Sequence, residues 1–506
     1  MSDRIRILAT SDLHGMIYPY SYADKLFRFH GLARINNMIR LLRDENTILL
    51  DNGDTLEGSP LSFYHYMFQT DDINPMTDVM REMHYDYINV GNHDFSYGEE
   101  ALMMHLQNVG APCITANWRF HGEKYGPTYV IKEVAGKRIA IFALVTQYIP
   151  HWERRENIRH CKFQDAYETA EKTVALLKSL EKPDYIVCLY HGGFERDLQF
   201  GYLTEEDTGE NEGYRMLKNI QGIDVLISGH QHRSLSGKLF NTCYTQTAQD
   251  GREIACIDIY PDTDTIEPRI FKVDTEPDTR VMAFVQDEED KCQEWLDQTL
   301  GTTNVDLKVT DEFDARLHKS QMVTFLNMVQ METTKADISG TALFNGATGF
   351  DQNITMRNLV STYTFPNTLV VKKVTGKILK EYLEKNAEYW TLKNGSIAVN
   401  KSYESPTPMH FNYDMIDGIE YTVQVSNPLG SRIIEMKYNG EPVTEDQEFT
   451  LVINNYRASG SGGFDMIRNA PTVKTDLTNI VELLAKYIME HQTIDFTPVH
   501  NINIIK

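Results

Sequence analysis

Five short apolar or β-branched runs in the first half of the chain end alike, and that shared ending constrains the fold more than any other feature. They are IRILATSD from Ile5, NTILLDNGD from Asn46, YDYINVGNHD from Tyr85, PDYIVCLYHGG from Pro183 and IDVLISGHQH from Ile223. Each has strand length and closes on polar residues with glycine nearby. Segments of helical spacing lie between them, such as Tyr167 to Lys182, where Ala170, Val174 and Leu177 recur on one face. This alternation predicts an α/β fold. In an open α/β sheet the carboxyl ends of the strands converge on the ligand crevice, so distant pieces of sequence can build one site.

The endings are Asp12-x-His14, Gly53-Asp54, Gly91-Asn92-His93-Asp94, His191 and Gly229-His230-Gln231-His232. The Asp-x-His spacing puts both side chains on one side of an extended chain. Singly, such a pair or a lone histidine is more often a surface or capping residue; five of them at five strand ends point to a metal site. Carboxylate, imidazole and amide oxygen suit Mn²⁺, Zn²⁺, Fe²⁺ or Co²⁺, whereas an all-oxygen set would favour Mg²⁺ or Ca²⁺. Two divalent metal ions about 3.5–4 Å apart need a shared carboxylate, and such a pair can activate water and clamp an in-line phosphoryl displacement. Asp54 is the candidate bridge.

A chain of 506 residues exceeds one ordinary hydrophobic core. Val281, Phe284, Val285, Cys292, Trp295 and Leu296 form a helical stripe, read as a connecting helix over 279–305 between domains at 1–278 and 306–506. Beyond about Thr310 helices and strands mix around turn signals at Asn394-Gly395, Asn427-Pro428 and Asn439-Gly440, the pattern of an α+β domain. A net charge of -23 excludes long nucleic acid as a partner. It still admits a small phosphorylated substrate, because bound metal ions dominate the local field. No apolar run is long enough to span a bilayer, so no membrane partner is expected. The start, MSDRIRILATSDLHG, lacks the apolar region of a secretory signal. The six cysteines lie far apart with no C-x-x-C spacing, as in a reducing compartment. A cytoplasmic monomer or weak oligomer is the expectation.

On these motifs the first half resembles the calcineurin-like metallophosphoesterase superfamily, and the rest is similar to the C-terminal domain of the bacterial 5′-nucleotidase family. The segments TYTFPNTLVVKKVTGKILKEYLE from Thr362, NYDMIDGIEYTV from Asn412 and INNYRASGSGGF from Ile453 look like its 2′,3′-cyclic-nucleotide 2′-phosphodiesterase/3′-nucleotidase branch. The resemblance implies an N-terminal four-layer αββα sandwich followed by a 5′-nucleotidase-type domain. It implies that Asp12, His14 and His232 hold one metal ion, that Asn92, His191 and His230 hold the other, and that Asp54 bridges them. Mn²⁺ or Zn²⁺ is the expected occupant. His93 would assist the leaving oxygen. Phe365 and Tyr456 would sandwich a nucleobase, with Asn367 at its polar edge and Gly460 allowing close backbone approach; the other reading of the two aromatics is ordinary core packing.

The implied activity opens 2′,3′-cyclic nucleotides to 3′-nucleotides and then releases nucleoside and phosphate. The alternatives are a 5′-nucleotidase, a dinucleotide or sugar-nucleotide pyrophosphatase, and a non-catalytic nucleotide sensor. Two departures stand out. The 5′-nucleotidases carry a carboxylate three residues after the catalytic histidine, where this chain has Ser96, and their Gly-Ile-Arg phosphate clamp reads Gly346-Ala347-Thr348 here. What orients His93 is therefore open, with Asp94 and Ser96 as candidates.

Overall fold

The computed structural model describes residues 4–204, 207–363, 367–405, 408–476 and 478–506. The chain divides into two compact units, Met1–Cys292 and Gln293–Lys506. Among the described residues no helix is long and apolar enough to cross a membrane.

All five runs form strands of the first unit. Ile5–Thr10 pairs in parallel with Thr47–Asp51, which pairs in parallel with the two-residue strand Tyr87–Ile88. On its other side Ile5–Thr10 runs antiparallel to Glu253–Tyr260, with Ile5 opposite Ile259, and Thr265–Lys272 closes this five-stranded sheet. A six-stranded sheet has Val225–Ser228 and Tyr185–His191 at its centre, flanked by Thr242–Gln246 and Leu235–Leu239 on one side and by Lys137–Val145 and Val130–Val134 on the other. Its four inner strands are parallel.

The period of two along each strand sorts side chains between layers. Ile5, Ile7, Ala9 and Ile257 of one sheet share a buried core with Ile139, Ile141, Val187 and Val225 of the other. Their neighbours Phe142, Leu144, Cys188 and Leu226 face the opposite way and pack with Ala170 and Val174 of helix Ala166–Leu176. Each of the Val, Leu, Ile and Phe side chains among them contributes about 1.5–3 kcal/mol when fully buried. Helices outside two face-to-face sheets complete the four-layer αββα sandwich. The helix read from Tyr167 to Lys182 begins at Asp165, whose carboxylate accepts the Glu168 N–H at 2.7 Å. It widens to a π-helical turn over Leu177–Glu181 and stops at Lys182, where φ is 48°.

The segment expected as one connecting helix over 279–305 is instead two helices, Thr279–Phe284 and Gln286–Leu296, followed by strand Thr299–Thr303. Val285 leaves helical geometry between them, and the threonine-rich stretch that follows favours an extended chain.

The second unit is built on a mixed sheet in the order Asp414–Asp417, Ile338–Ala342, Glu448–Asn454, Leu369–Thr375 and Thr472–Asp476. Its core is aromatic, with Tyr382, Tyr389 and Trp390 fully buried beside Tyr413 and Phe464. Asn394-Gly395 turns the hairpin between Trp390–Lys393 and Ser396–Val399 with φ of 53° and 76°, the left-handed pair that a two-residue hairpin turn requires.

Candidate metal centre

The loops that leave the five strands assemble two groups of candidate metal-ligating side chains. Asp12, His14 and His232 form one; Asp54, His191 and His230 form the other. Asp12, His14, Asp54, His230 and His232 all have positive φ, between 51° and 69°. That region is uncommon for side-chain-bearing residues and costs on the order of 1 kcal/mol or more each, so strain is concentrated where these ligands meet. Two glycines make the convergence possible. A Cβ on Gly53 would lie 2.2 Å from the Gly91 nitrogen, and one on Gly91 would lie 2.1 Å from Asp54 Oδ1.

Hydrogen bonds at the outer nitrogens aim the imidazoles inward. His14 Nδ1 donates to the Glu57 carbonyl and His191 Nδ1 to the Asn52 carbonyl, both at 2.8 Å. Each turns Nε2 toward the centre. His14 Nε2 stands 3.0 Å from His232 Nε2, which lies 3.3 Å from Asp12 Oδ1. His191 Nε2 lies 3.1 Å from Asp54 Oδ2. His230 Nε2 is taken by Glu210 Oε1 at 2.9 Å, and the His230 N–H donates to Asp12 Oδ1 at 3.0 Å.

The donor set fits divalent ions. Asn92 Oδ1 is buried with no hydrogen-bond partner among the described residues, and a buried polar atom left unpaired costs roughly 1–3 kcal/mol; Asp54 Oδ2 and His191 Nε2 are equally buried and face each other at 3.1 Å. Converging carboxylate, imidazole and amide donors are what two such cations would satisfy. The acidic and basic members of the cluster shift one another. Burial raises the Asp12 carboxyl, but the His232 hydrogen bond and the His191 charge outweigh it and hold it at about 2. Burial likewise opposes ionisation of Asp54, and His191 and His93 drive it well below the usual range. Burial lowers His191, yet Asp54 and Asp12 carry it up to about 9.

His93 borders this cluster, its ring centroid 5.4 Å from that of His14. Asp94 does not orient it. The Asp94 carboxylate is buried and accepts four backbone N–H groups, from Gly91 at 2.7 Å, Thr55 at 2.8 Å, and Asp54 and Leu56 at 3.0 Å. It ties the Gly53-Asp54 loop to the Gly91-Asn92 loop. Ser96 does not reach the ring either; its hydroxyl lies 3.3 Å from both Glu57 and Glu153. The group on His93 Nδ1 is the Glu57 carboxylate. Burial would lower His93, but Glu57 and Asp54 raise it to about 10.

Glu57 and Glu210 are thus the residues that sequence reasoning missed. Glu57 has a local signal, since it lies three residues beyond Asp54 in the same strand-end loop; Glu210, in an acidic stretch, has none.

In the second unit Tyr456 sits on the short helix Asn455–Ala458, half-buried, with the Phe411 ring 6.1 Å away and the Arg457 guanidinium 5.7 Å over its face. That separates it from the fully buried core aromatics. Asn367 Nδ2 donates to the Tyr363 hydroxyl at 3.3 Å, and Gly460 has φ 89°. Phe365 lies outside the described residues.

Two family models match the chain: calcineurin-like phosphoesterase over residues 5–234, and the 5′-nucleotidase C-terminal domain over 299–469. The trifunctional nucleotide phosphoesterase of Bacillus subtilis is 28% identical over 97% of this chain, which spans only 38% of that protein. The 2′,3′-cyclic-nucleotide 2′-phosphodiesterase/3′-nucleotidase of Haemophilus influenzae is 25% identical over 90% of this chain and 80% of its own length. A Staphylococcus aureus protein with a provisional 5′-nucleotidase assignment, crystallised with α-ketoglutarate, superposes with a TM-score of 0.93. It is 32% identical, over 99% of this chain and 100% of its own. The chain belongs to the 5′-nucleotidase family, with a calcineurin-like phosphoesterase domain followed by a 5′-nucleotidase C-terminal domain.

Proposed function

We propose that the protein hydrolyses nucleoside phosphates with two divalent metal ions, opening 2′,3′-cyclic nucleotides to 3′-nucleotides and dephosphorylating these to nucleoside and phosphate. The observation that carries the reading is the pair of donor groups, Asp12, His14 and His232 beside Asp54, His191 and His230, meeting in one buried cluster where Asn92 Oδ1 has no hydrogen-bond partner among the described residues. Asp12, His14 and His232 would hold one ion, Asn92, His191 and His230 the other, with Asp54 shared; Mn²⁺ or Zn²⁺ suits this donor set best. Such ions, when bound, supply positive charge for the phosphoryl oxygens and activate water for in-line attack.

The chain's own residues do the rest. A water oxygen forms the new bond to phosphorus as the bond to the 2′ oxygen breaks, and His93 Nε2 gives its proton to that departing oxygen. The same steps on the 3′-nucleotide release the 3′ oxygen. In the second unit Tyr456, with Asn367 and Gly460, would receive the nucleobase; stacking tolerates every base and is worth about 1–3 kcal/mol. All six cysteines are free, which suits the reducing cytoplasm.

The test incubates Mn²⁺-loaded protein with 2′,3′-cyclic AMP and resolves 3′-AMP, 2′-AMP, adenosine and phosphate over time, with Asn92→Ala and His93→Ala as controls. Transient 3′-AMP followed by adenosine is expected. Intact cyclic substrate with phosphate released from 5′-AMP would replace this reading by a 5′-nucleotidase.

A further inference from the structure

The surroundings of His93 carry one step more, which rests on the functional reading above. An imidazole can act through Nε2 only if Nδ1 and the ring plane are held. His93 is held twice, through its main-chain N–H, which donates to Asp54 Oδ1 at 2.7 Å, and through Nδ1, which meets Glu57 Oε2. Glu57 is itself fixed. Its side chain is 4% exposed, Ser96 Oγ lies 3.3 Å from Oε2, and its main-chain carbonyl receives His14 Nδ1. The next residue, Gly58, lets the loop lie this close to His14: φ is 143°, and a Cβ there would come 2.6 Å from His14 Cβ. One residue therefore sets two imidazoles, His14 through its main chain and His93 through its side chain.

We infer that Glu57 is the positioning residue of His93, its carboxylate reaching from the loop after Asp54 to fix the imidazole with Nε2 turned to the leaving oxygen. Glu57 does not touch the substrate. Ser96 stands behind it, where a hydroxyl braces the carboxylate but cannot replace its charge.

The test compares Glu57→Gln, Glu57→Ala and the double variant Glu57→Ala/Ser96→Asp with the parent protein, each carrying the same Mn²⁺ content. Substrates are 2′,3′-cyclic AMP, whose leaving oxygen needs a proton, and bis(4-nitrophenyl) phosphate, whose leaving group does not. The expected result is a loss in kcat of about 100-fold on the cyclic nucleotide with KM within about twofold, and a loss of under about fivefold on the aryl ester. Ser96→Asp should restore at least about tenfold to Glu57→Ala, because it returns a carboxylate beside the same imidazole. Unchanged kcat in both single variants overturns the inference, and so does an equal loss on both substrates without rescue. A second readout is independent of turnover. Nitrogen-15 spectra of histidine-labelled protein should show a carboxylate-bonded Nδ1–H that persists in Ser96→Ala and vanishes in Glu57→Ala. Its survival in Glu57→Ala overturns the inference, whereas a parent protein inert toward nucleotides with this signal intact overturns only the substrate assignment.

Discussion

His14 and His232 point their Nε2 atoms at each other across 3.0 Å, and the hydrogen bond from His14 Nδ1 to the Glu57 carbonyl leaves the His14 atom a bare lone pair. Two imidazole nitrogens this close to each other and to the Asp12 carboxylate form a donor set that a divalent cation suits. Metal binding should therefore stabilise the folded state by mass action, about 2.7 kcal/mol at a free concentration one hundred times the Kd. Scanning calorimetry with Mn²⁺ and then with a chelator should show Tm rising and falling reversibly. In His14→Ala the Mn²⁺-dependent rise should be at least halved. A Tm indifferent to metal in the parent protein would refute the site.

Glu210 predicts a subtler effect. It accepts from His230 Nε2 at 2.9 Å while its side chain remains partly exposed, so it orients this candidate ligand without supporting the core. Glu210→Gln should weaken metal affinity by about 10- to 100-fold, the usual consequence of losing a carboxylate behind a ligating histidine. Competition against a fluorescent chelator measures it. Unfolding by urea of the metal-free protein should differ by less than about 0.5 kcal/mol, since surface changes away from the core seldom cost more.

The contrast between these residues shows what was legible before the fold was known. The five strands were visible because apolar runs and ligand-type endings are local properties, and parallel pairing brings their ends together. Even Tyr87–Ile88, only two residues long, held its place because Asp51 and Ile88 fall in register. Illegible were the contacts made across loops. The position of Glu57 after Asp54 places it near the site but not on His93, and nothing in the order of residues says that Glu210 finds His230 or that Asp94 spends its carboxylate on four backbone N–H groups. The left-handed conformation of Asp12, His14, Asp54, His230 and His232 was equally hidden, because Asp and His only weakly signal it. The connecting segment misled for a related reason: its helical stripe reaches Leu296, and only the pairing of Thr302 with Asn353 and Thr493 shows that the chain beyond it joins a sheet.

Asp278 gives a pH prediction far from the metal ligands. It caps helix Thr279–Phe284, accepting the Arg280 N–H at 3.0 Å, the Arg280 guanidinium at 2.8 Å and Asn36 Nδ2 at 3.0 Å. The Arg280 hydrogen bonds, outweighing burial, hold its carboxyl at about 2. A pKa depressed on folding contributes stability that is present above the unfolded value near 4 and is lost as pH falls from there toward 2. Asp278→Ala should cost about 1 kcal/mol near neutral pH, in the usual range for a lost helix cap. Urea titrations of both proteins should show that difference shrinking below about pH 4. A difference that grows on acidification would contradict the assignment.

Lys319 and Asp417 test the interior of the second unit. The Lys319 ammonium is fully buried and paired with Asp417, whose other oxygen accepts Asn327 Nδ2 at 3.0 Å. Burial presses the lysine toward its neutral form while Asp417 resists. Removing one partner leaves a charge in a low-dielectric interior with nothing to answer it, so Asp417→Ala should destabilise by about 3–5 kcal/mol. Removing both is a different matter, because the buried charge disappears with its partner. Lys319→Met/Asp417→Ala should recover more than half of that loss, with the remainder reflecting the hydrogen bond that Asn327 no longer makes. Denaturant unfolding of the full chain, with the transition of the second unit followed through its buried Trp390, measures all three variants. A double variant no more stable than Asp417→Ala alone would mean that the pair contributes through packing and not through its charges.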